Sequence, residues 1–349
     1  MITALFLLAL VGAYSVYKPF LLSIMVAILL TMATFNLTKK LIGFTGSSKI
    51  SAAISTLFLT LLLFAPIVYL ATAGVSYVGD IDSTGIKDTL SVVKEYTQKV
   101  PYLKEMSDEY LSDDKISSYI KSSTSYMTTM SSVGFGFMKD MLFVVIFYFF
   151  INYYGNRFFD TILKLLPVSP AKGAKMIQEV SATMEIVFYS IIVTAIFEGF
   201  LFGLIVSYFG FNGILFGVIY GFASLIPIIG GIAVWAPVSL YAWTKMDLNT
   251  AIIIMSYSII MISIIADTFV KPMIINVIKE DFLKSKLQIN SMLIFFSILA
   301  GMSTYGFWGM ILGPAITSFL IAITKVYLDY SEIGELAVKR MPEHSKDKR

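Results

Sequence analysis

Long apolar stretches run through most of this 349-residue chain, and they limit the folds open to it more than any other feature. A helix that spans a bilayer needs roughly 20 mostly apolar residues, and several stretches approach or exceed that length. Charged residues make up 14% of the chain, against about 25% in a typical soluble domain. We therefore predict an all-α integral membrane protein with about eight membrane segments. The apolar segments are residues 2–17, 19–36, 50–74, 136–155, 186–209, 213–243, 250–275 and 287–328.

Residue types that carry much of enzyme chemistry are scarce in this chain. It contains no cysteine, and its single histidine, His344, lies in the charged C-terminal tail. Thiol catalysis, cysteine metal sites and histidine acid–base chemistry therefore have no support. The net charge of +3 is small, and no basic patch with interleaved aromatic residues indicates nucleic acid. We expect no metal, no cofactor, no enzymatic activity and no nucleic-acid partner.

Composition divides the chain into five parts. The polar stretch 75–135 has apolar residues at helical spacing, which predicts a small helical domain outside the hydrocarbon and a contact within a homo-oligomer. The step Lys18-Pro19 fits either a helical hairpin or one kinked pair of spans. We read the N-terminus as a membrane segment, since it lacks the basic start and cleavage site of a signal peptide. The parts are N-terminal membrane helices (1–74), the extramembrane domain (75–135), a span plus amphipathic connector (136–185), a core with two broken-helix units (186–328) and a charged tail (329–349).

Basic residues predict the orientation of the chain. Lys39, Lys40 and Lys49 follow the second apolar segment with no acidic residue between them, which places that loop in the cytoplasm. The stretch 213–243 has arms of about 14 residues, roughly 21 Å each, which is too short for two crossings of a core roughly 30 Å thick. It crosses once as a kinked helix or forms a re-entrant hairpin. The re-entrant reading keeps the basic loop 276–286 and both termini in the cytoplasm.

The second half of the chain repeats one pattern, a span followed by a broken apolar stretch. If both broken stretches are re-entrant, the two units run in opposite directions, as in inverted-topology repeats that hold solute and ion sites near the midplane. Gly and Pro at the breaks expose backbone groups that cannot face lipid. The alternative is that both breaks are ordinary kinks in spanning helices. The predicted pathway residues at the breaks are Pro227, Gly230, Gly231, Ser303 and Gly306, and the predicted structural hinges are Pro237, Pro272, Gly309, Gly313 and Pro314.

Two carboxylates stand alone within these apolar segments. Glu198 and Asp267 occupy comparable positions in the two units. A carboxylate inside the membrane costs about 3 kcal/mol or more, so it faces a polar interior and often marks an ion or proton pathway. The spacing predicts that Asp267 pairs with Lys271 one turn later, and it offers Glu198 no local partner. We place both carboxylates on the predicted pathway, with a structural carboxyl group as the alternative.

Three segments also resemble motifs of a known family. Leu225-Ile-Pro-Ile-Ile-Gly-Gly231, followed by Pro237, resembles the Pro-x-x-Gly motif of the autoinducer-2 exporter family. The segment from Asp267 to Pro272 is similar to its acidic and proline segment, and Gly306-Phe-Trp-Gly-Met-Ile-Leu-Gly-Pro314 is similar to its terminal glycine motif. The layout agrees over the whole chain, and the motifs are specific from about residue 186 to 325. Glu198 departs from the uncharged polar residue expected there. The resemblance implies a place in the inner membrane of a prokaryotic cell. It also implies export of a small signalling furanone or, in some members, exchange of sodium for protons.

These features together favour a secondary transporter. We expect it to export a small polar solute such as autoinducer-2 by an alternating-access, elevator-like mechanism, with possible coupling to H⁺ or Na⁺. A sodium/proton antiporter, a channel and a structural membrane protein are the alternatives. A channel predicts a polar stripe along several spans, whereas a structural protein predicts that Glu198 and Asp267 tolerate substitution. The expected partners are a small solute or ion, the lipid bilayer and further copies of the chain.

Overall fold

The computed structural model describes residues 2–79, 83–99, 104–105, 109, 112–165, 169–226, 230–278 and 291–339. Regular structure in these ranges is helical, with no strand, so the all-α prediction is confirmed for them. The helices are α1 (Ile2–Tyr17), α2 (Leu21–Ala33), α3 (Phe35–Thr45), α4 (Ser48–Gly79), α5 (Ser83–Gln98), α6 (Asp113–Leu165), α7 (Pro170–Tyr208), α8 (Gly213–Ala223), α9 (Gly230–Lys245), α10 (Leu248–Tyr257), a π-helix (Ser258–Val270), α11 (Lys271–Val277), α12 (Ser291–Tyr305) and α13 (Gly309–Lys339), with 3-10 turns at Lys18–Phe20 and Gly306–Trp308.

Six helical stretches in the described ranges are long and apolar enough to cross a bilayer, where the sequence predicts about eight. The first two predicted segments form one stretch, because the backbone stays helical through the Lys18–Phe20 turn. The hairpin alternative for these segments is therefore wrong. The predicted segment 213–243 contains two short helices of 11 and 16 residues. The six stretches are Ala4–Ala33, Ser48–Ala73, Phe135–Gly155, Pro170–Tyr208, Leu248–Val277 and Met292–Thr324.

Large apolar side chains on these stretches are exposed in the isolated chain. Leu8 in α1, Phe58 in α4 and Phe200 in α7 each leave about half or more of their surface uncovered. Soluble monomers rarely expose such continuous apolar surface. Lipid or another protein surface must therefore cover these faces, as the membrane assignment requires.

Helix α6 joins the predicted polar domain to the fourth predicted span. It runs from Asp113 to Leu165 and has a non-helical backbone at Gly155. Helix α5, from the same polar stretch, packs on α9, with the rings of Tyr96 and Trp243 5.0 Å apart between centroids. The polar stretch is helical where it is described, as predicted.

Two turns in the chain share the pattern Gly-Phe-x-Gly and begin with a glycine of positive φ. Gly210-Phe-Asn-Gly213 connects α7 to α8, and Gly306-Phe-Trp-Gly309 connects α12 to α13. The first glycine of each turn has a positive φ, 86° at Gly210 and 59° at Gly306, which side chains disfavour. The helices then return so closely that a β-carbon on Gly217 would lie 2.7 Å from the carbonyl oxygen of Gly199.

Helices α12 and α13 pack in the same manner. A β-carbon on Gly301, Gly309 or Gly313 would collide with the backbone of the opposite helix. Small residues at such contacts are typical of helix pairs in membranes. The local repeat in the structure is thus a glycine-turned helix pair. The apparent 33-residue span Met292–Thr324 contains such a pair and reverses direction at Gly306.

The described chain forms two compact units. The first unit comprises Met1–Thr56, Val144–Phe188 and Lys279–Arg349, and the second comprises Leu57–Phe143 and Tyr189–Ile278. In the first unit, α13 packs against α12 and α2. In the second unit, α9 packs against α8 and α10. The core of the second unit is apolar and includes Phe202, Tyr220, Val234, Val238, Ile254 and Ile262.

Candidate functional site

Glu198 is a buried carboxylate in the second unit. It lies on α7 and is 3% exposed, next to Gly199, which packs against α8. Its Oε1 atom lies 3.4 Å from Nζ of Lys271. The sequence offered Glu198 no local partner and predicted that Lys271 pairs with Asp267. Lys271 reaches across to α7, a contact that spacing along one helix cannot reveal. The pairing of Lys271 with Asp267 stays a prediction, because the Asp267 side chain lies outside the described residues.

Asp267 lies on the helical stretch that presents Lys271. Its backbone belongs to the π-helix Ser258–Val270, and its side chain is outside the described set. π-Helical turns are rare and are frequent at functional sites. Pro272 explains why the register changes here, because it has no N–H to donate to the preceding turn. Lys271 therefore sits where the wide helix returns to α-helical winding, at the start of α11.

Two hydroxyl side chains lie near the same face of α7 as Glu198. Ser190 and Thr194 precede it by eight and four residues, so the three lie near one face of the helix. Both are buried, and neither hydroxyl has a hydrogen-bond partner in the described part of the chain. Thr183 on the same helix instead donates to the carbonyl of Glu179, at 2.9 Å. Sequence analysis missed Ser190 and Thr194, although their four-residue spacing from Glu198 was a usable signal.

The predicted break residues of the first repeat lie at the meeting of α8 and α9. A β-carbon on Gly230 would collide with the carbonyl of Ala223, and one on Gly231 would lie 2.6 Å from the hydroxyl of Tyr220. The two glycines therefore permit close approach of α9 to the end of α8. Pro227 lies outside the described residues, and Pro237 lies within α9.

The predicted break residues of the second repeat belong to the first unit. Ser303 is exposed near the end of α12, and Gly306 makes the turn. Gly309 and Gly313 form the close contact with α12, while Pro314 lies within α13. Close packing is thus the role that the geometry gives the two glycines. A hinge role for them stays a prediction.

A second buried carboxylate, Glu185, lies in the first unit and was also missed. Its two oxygens accept hydrogen bonds from the backbone N–H and the side-chain amide of Asn36, at 3.1 and 2.7 Å. Asn36 is in the first turn of α3, where free N–H groups favour an anion. Glu185 therefore fixes the start of α3.

Several further buried side chains of the first unit are also hydrogen-bonded. The hydroxyls of Thr34 and Tyr148 are 2.7 Å apart. The amide of Asn152 donates to Thr31 at 3.2 Å and accepts from Thr38 at 3.3 Å. Such paired groups need no ligand, in contrast with the unpaired hydroxyls of Ser190 and Thr194.

The site offers a charge pair and hydroxyls rather than a metal cage. In the described part of the chain, no three His, Cys, Asp or Glu side chains come together to hold a metal ion. The carboxylate of Glu198 accepts hydrogen bonds or cations, the ammonium of Lys271 donates, and the two hydroxyls do both. These groups can bind and release a polar solute or an ion inside an apolar unit.

Comparison with known proteins shows the family of the chain. Residues 1–329 match the AI-2E family transporter. Two proteins named "Putative transport protein", from Helicobacter pylori strains ATCC 700392 / 26695 and J99, are each 33% identical to this chain, over 334 and 333 residues. Each match covers 93% of this chain and 94% of the relative. A protein of the same name from Aquifex aeolicus strain VF5 is 24% identical over 180 residues, 51% of this chain and 48% of that protein.

The match extends over nearly the whole chain, and the relatives are bacterial. The resemblance seen in the motifs of the second half is thereby confirmed. Transport, a multi-pass membrane location and the absence of an enzyme class follow from the family. The chain belongs to the AI-2E transporter family.

Proposed function

We propose that the chain is a secondary transporter that exports a small polar solute such as autoinducer-2, and that Glu198 and Lys271 lie on its pathway. One observation carries the proposal. An apolar helix holds a carboxylate that is 3% exposed and pairs it with a lysine from a distant segment. Ionisable groups in membrane segments are costly, and by default they mark a transport pathway.

The unequal exposure of the pair supports a role in coupling. The Lys271 side chain is 39% exposed, whereas the Glu198 side chain is 5% exposed. Lys271 can therefore leave the pair for a bound solute, while Glu198 remains buried. Binding at either group changes the balance of charge in the unit, which is how a ligand biases two orientations of a transporter.

The hydroxyl groups of Ser190 and Thr194 support the same location. Buried hydroxyls without partners are unfavourable, and they are retained where a ligand or water completes them. They extend the polar face of α7 over eight residues from Glu198, about 12 Å at the rise of an α-helix. We assign the solute path to this face, with Asp267 as a second carboxylate on the helix that carries Lys271.

The short helices support an elevator-like movement of re-entrant elements. Helix α8 has 11 residues and α9 has 16, about 16 and 24 Å in length, so neither spans a hydrocarbon core of roughly 30 Å. We propose that α8–α9 and α12–α13 are re-entrant and form the moving part. The N-terminal spans and the polar stretch 75–135 form the anchor of a homo-oligomer, and both termini face the cytoplasm.

Sodium/proton exchange is the second candidate. A buried carboxylate with one basic partner can exchange a proton for a cation without help from a solute. Purified protein in liposomes separates the candidates when autoinducer-2 flux and sodium flux are measured separately under imposed gradients. Gradient-dependent movement of autoinducer-2 supports the first candidate, and sodium movement against a proton gradient supports the second. Failure of both fluxes would refute the proposed function.

A further inference from the structure

Helix α9 carries two buried polar atoms without partners. Nε1 of Trp235 and Oγ of Ser239 make no hydrogen bond in the described part of the chain. The residues are four apart, so they lie one turn from each other on one face of the helix. Their neighbours Val234 and Val238 belong to the apolar core of the second unit. The polar atoms therefore border an apolar core that offers them nothing to bind.

The hydroxyl of Ser239, like those of Ser190 and Thr194, does not bond to its own helix. Serine and threonine in an apolar helix ordinarily donate back to a carbonyl one turn earlier. Ser258 in the same unit does so, to Ile254 at 2.8 Å, and Thr244 on α9 donates to Tyr241 at 3.1 Å. Ser239 is only 6% exposed, and therefore more than nine-tenths buried. Its hydroxyl nevertheless does not donate to a backbone carbonyl. Its hydroxyl is thus available to a ligand.

Pro237, which lies between Trp235 and Ser239, leaves a third polar group of the helix without its usual bond. Because proline has no N–H, the carbonyl of Ala233 lacks the helical donor that position 237 would supply. An indole N–H, a hydroxyl and a carbonyl thus lie within two turns of α9. The charged residue of this helix is Lys245, in its last turn, so charge does not reach these groups along the helix.

We propose that Trp235 and Ser239 form a subsite that binds an uncharged oxygen group, a carbonyl or hydroxyl, of the transported solute. The indole N–H donates to the solute oxygen, since it can only donate, and the Ser239 hydroxyl donates or accepts as the solute requires. The subsite rests on the proposed transport function and adds specificity to it. The subsite is independent of the charge pair at Glu198, because it binds a neutral group.

The first test asks whether polar molecules reach the indole. The chain has three tryptophans, so W243F/W308F leaves Trp235 as the single fluorophore and W235F/W243F leaves Trp308, which is 4% exposed. Acrylamide, a small uncharged amide, is added to proteoliposomes of each variant. We expect its quenching constant for Trp235 to exceed that for Trp308 severalfold. Equal quenching of the two would overturn the subsite, whether or not a solute is known.

The second test measures specificity in the flux assay. S239A and W235F should raise KM about fivefold with little change in kcat, the effect of losing one neutral hydrogen bond to the solute. S258A is the matched control, because Ser258 is equally buried in the same unit but bonded to its own helix. A KM for S239A equal to that of S258A would also overturn the subsite. If the wild type moves neither autoinducer-2 nor sodium, the proposed function fails, and the quenching test alone decides the subsite.

Discussion

Nζ of Lys271 lies 3.4 Å from Oε1 of Glu198, although 73 positions separate the two residues. The contact joins α11 to α7 inside the second unit, and it is strongly asymmetric. The lysine side chain is well exposed, whereas the carboxylate is almost fully covered. Removal of one partner therefore has different consequences for the two residues.

The double-mutant cycle on this pair should show that asymmetry. K271M leaves a buried carboxylate without the Lys271 charge, and we expect a loss of about 1–3 kcal/mol, less than for a fully buried pair because Lys271 is partly exposed. E198Q leaves a lysine that is only partly buried in the unit, so its loss should be smaller. The double variant E198Q/K271M should recover part of the loss. Thermal unfolding in detergent measures the loss of stability in each variant. Equal losses in both single variants would contradict the asymmetric pairing of Glu198 with Lys271.

The two glycine turns should respond alike to alanine. G210A and G306A each force a side chain into a left-handed backbone, which costs about 1–2 kcal/mol. Neither position has an atom within 4 Å of the new β-carbon, so strain and not collision is measured. G12A is the control, because Gly12 is helical and its β-carbon also meets open space. Its unfolding temperature should stay level or rise, and a fall equal to that of G306A would reject the explanation.

The start of α10 should depend on pH. Hydrogen bonds from the backbone N–H of Thr250 and then from its hydroxyl lower the pKa of Asp247 below its usual value near 3.8. A lowered folded-state pKa gives stability that is present above pH ~4 and lost as pH falls through the folded value. The unfolding temperature of wild type should exceed that of D247N at pH 7, and the difference should shrink towards pH 3. A difference that is constant with pH would show that the charge of Asp247 plays no part.

Cysteine labelling tests the re-entrant placement of α8 and α9. The chain has no cysteine, and Ile232 and Met246, at opposite ends of α9, are exposed. We expect a membrane-impermeant maleimide to label I232C and M246C from outside the cell. Labelling of M246C from the cytoplasm alone would establish a crossing helix, and the inverted repeat would be lost with it.

Sequence patterns predicted the helical class and the position of the breaks. The length of an apolar stretch and the backbone preferences of Gly and Pro depend only on the local sequence. The same local reasoning left two alternatives open at Lys18-Pro19, where proline sits in the first turn of a helical segment and is tolerated. It overcounted the segments, since the first two apolar segments form one helical stretch.

The pairing of side chains was harder to predict. Spacing on one helix predicted that Lys271 pairs with Asp267, whereas the contact of Lys271 with Glu198 on α7 arises from the fold. Glu185 was missed because its partner, Asn36, is 149 positions away. Ser190 and Thr194 were within reach of sequence analysis, since they repeat at four-residue intervals up to Glu198.

The central claim is that Glu198 belongs to the transport pathway, and gradient-driven flux in proteoliposomes tests it most directly. E198Q is compared with E185Q, since both residues are 3% exposed carboxylates on α7. Glu185 accepts hydrogen bonds from Asn36, and an amide oxygen can partly replace its carboxylate there. The account predicts that E198Q abolishes coupled flux of autoinducer-2 or sodium while the protein stays folded, and that E185Q retains it. Normal gradient-dependent flux in E198Q would contradict the account.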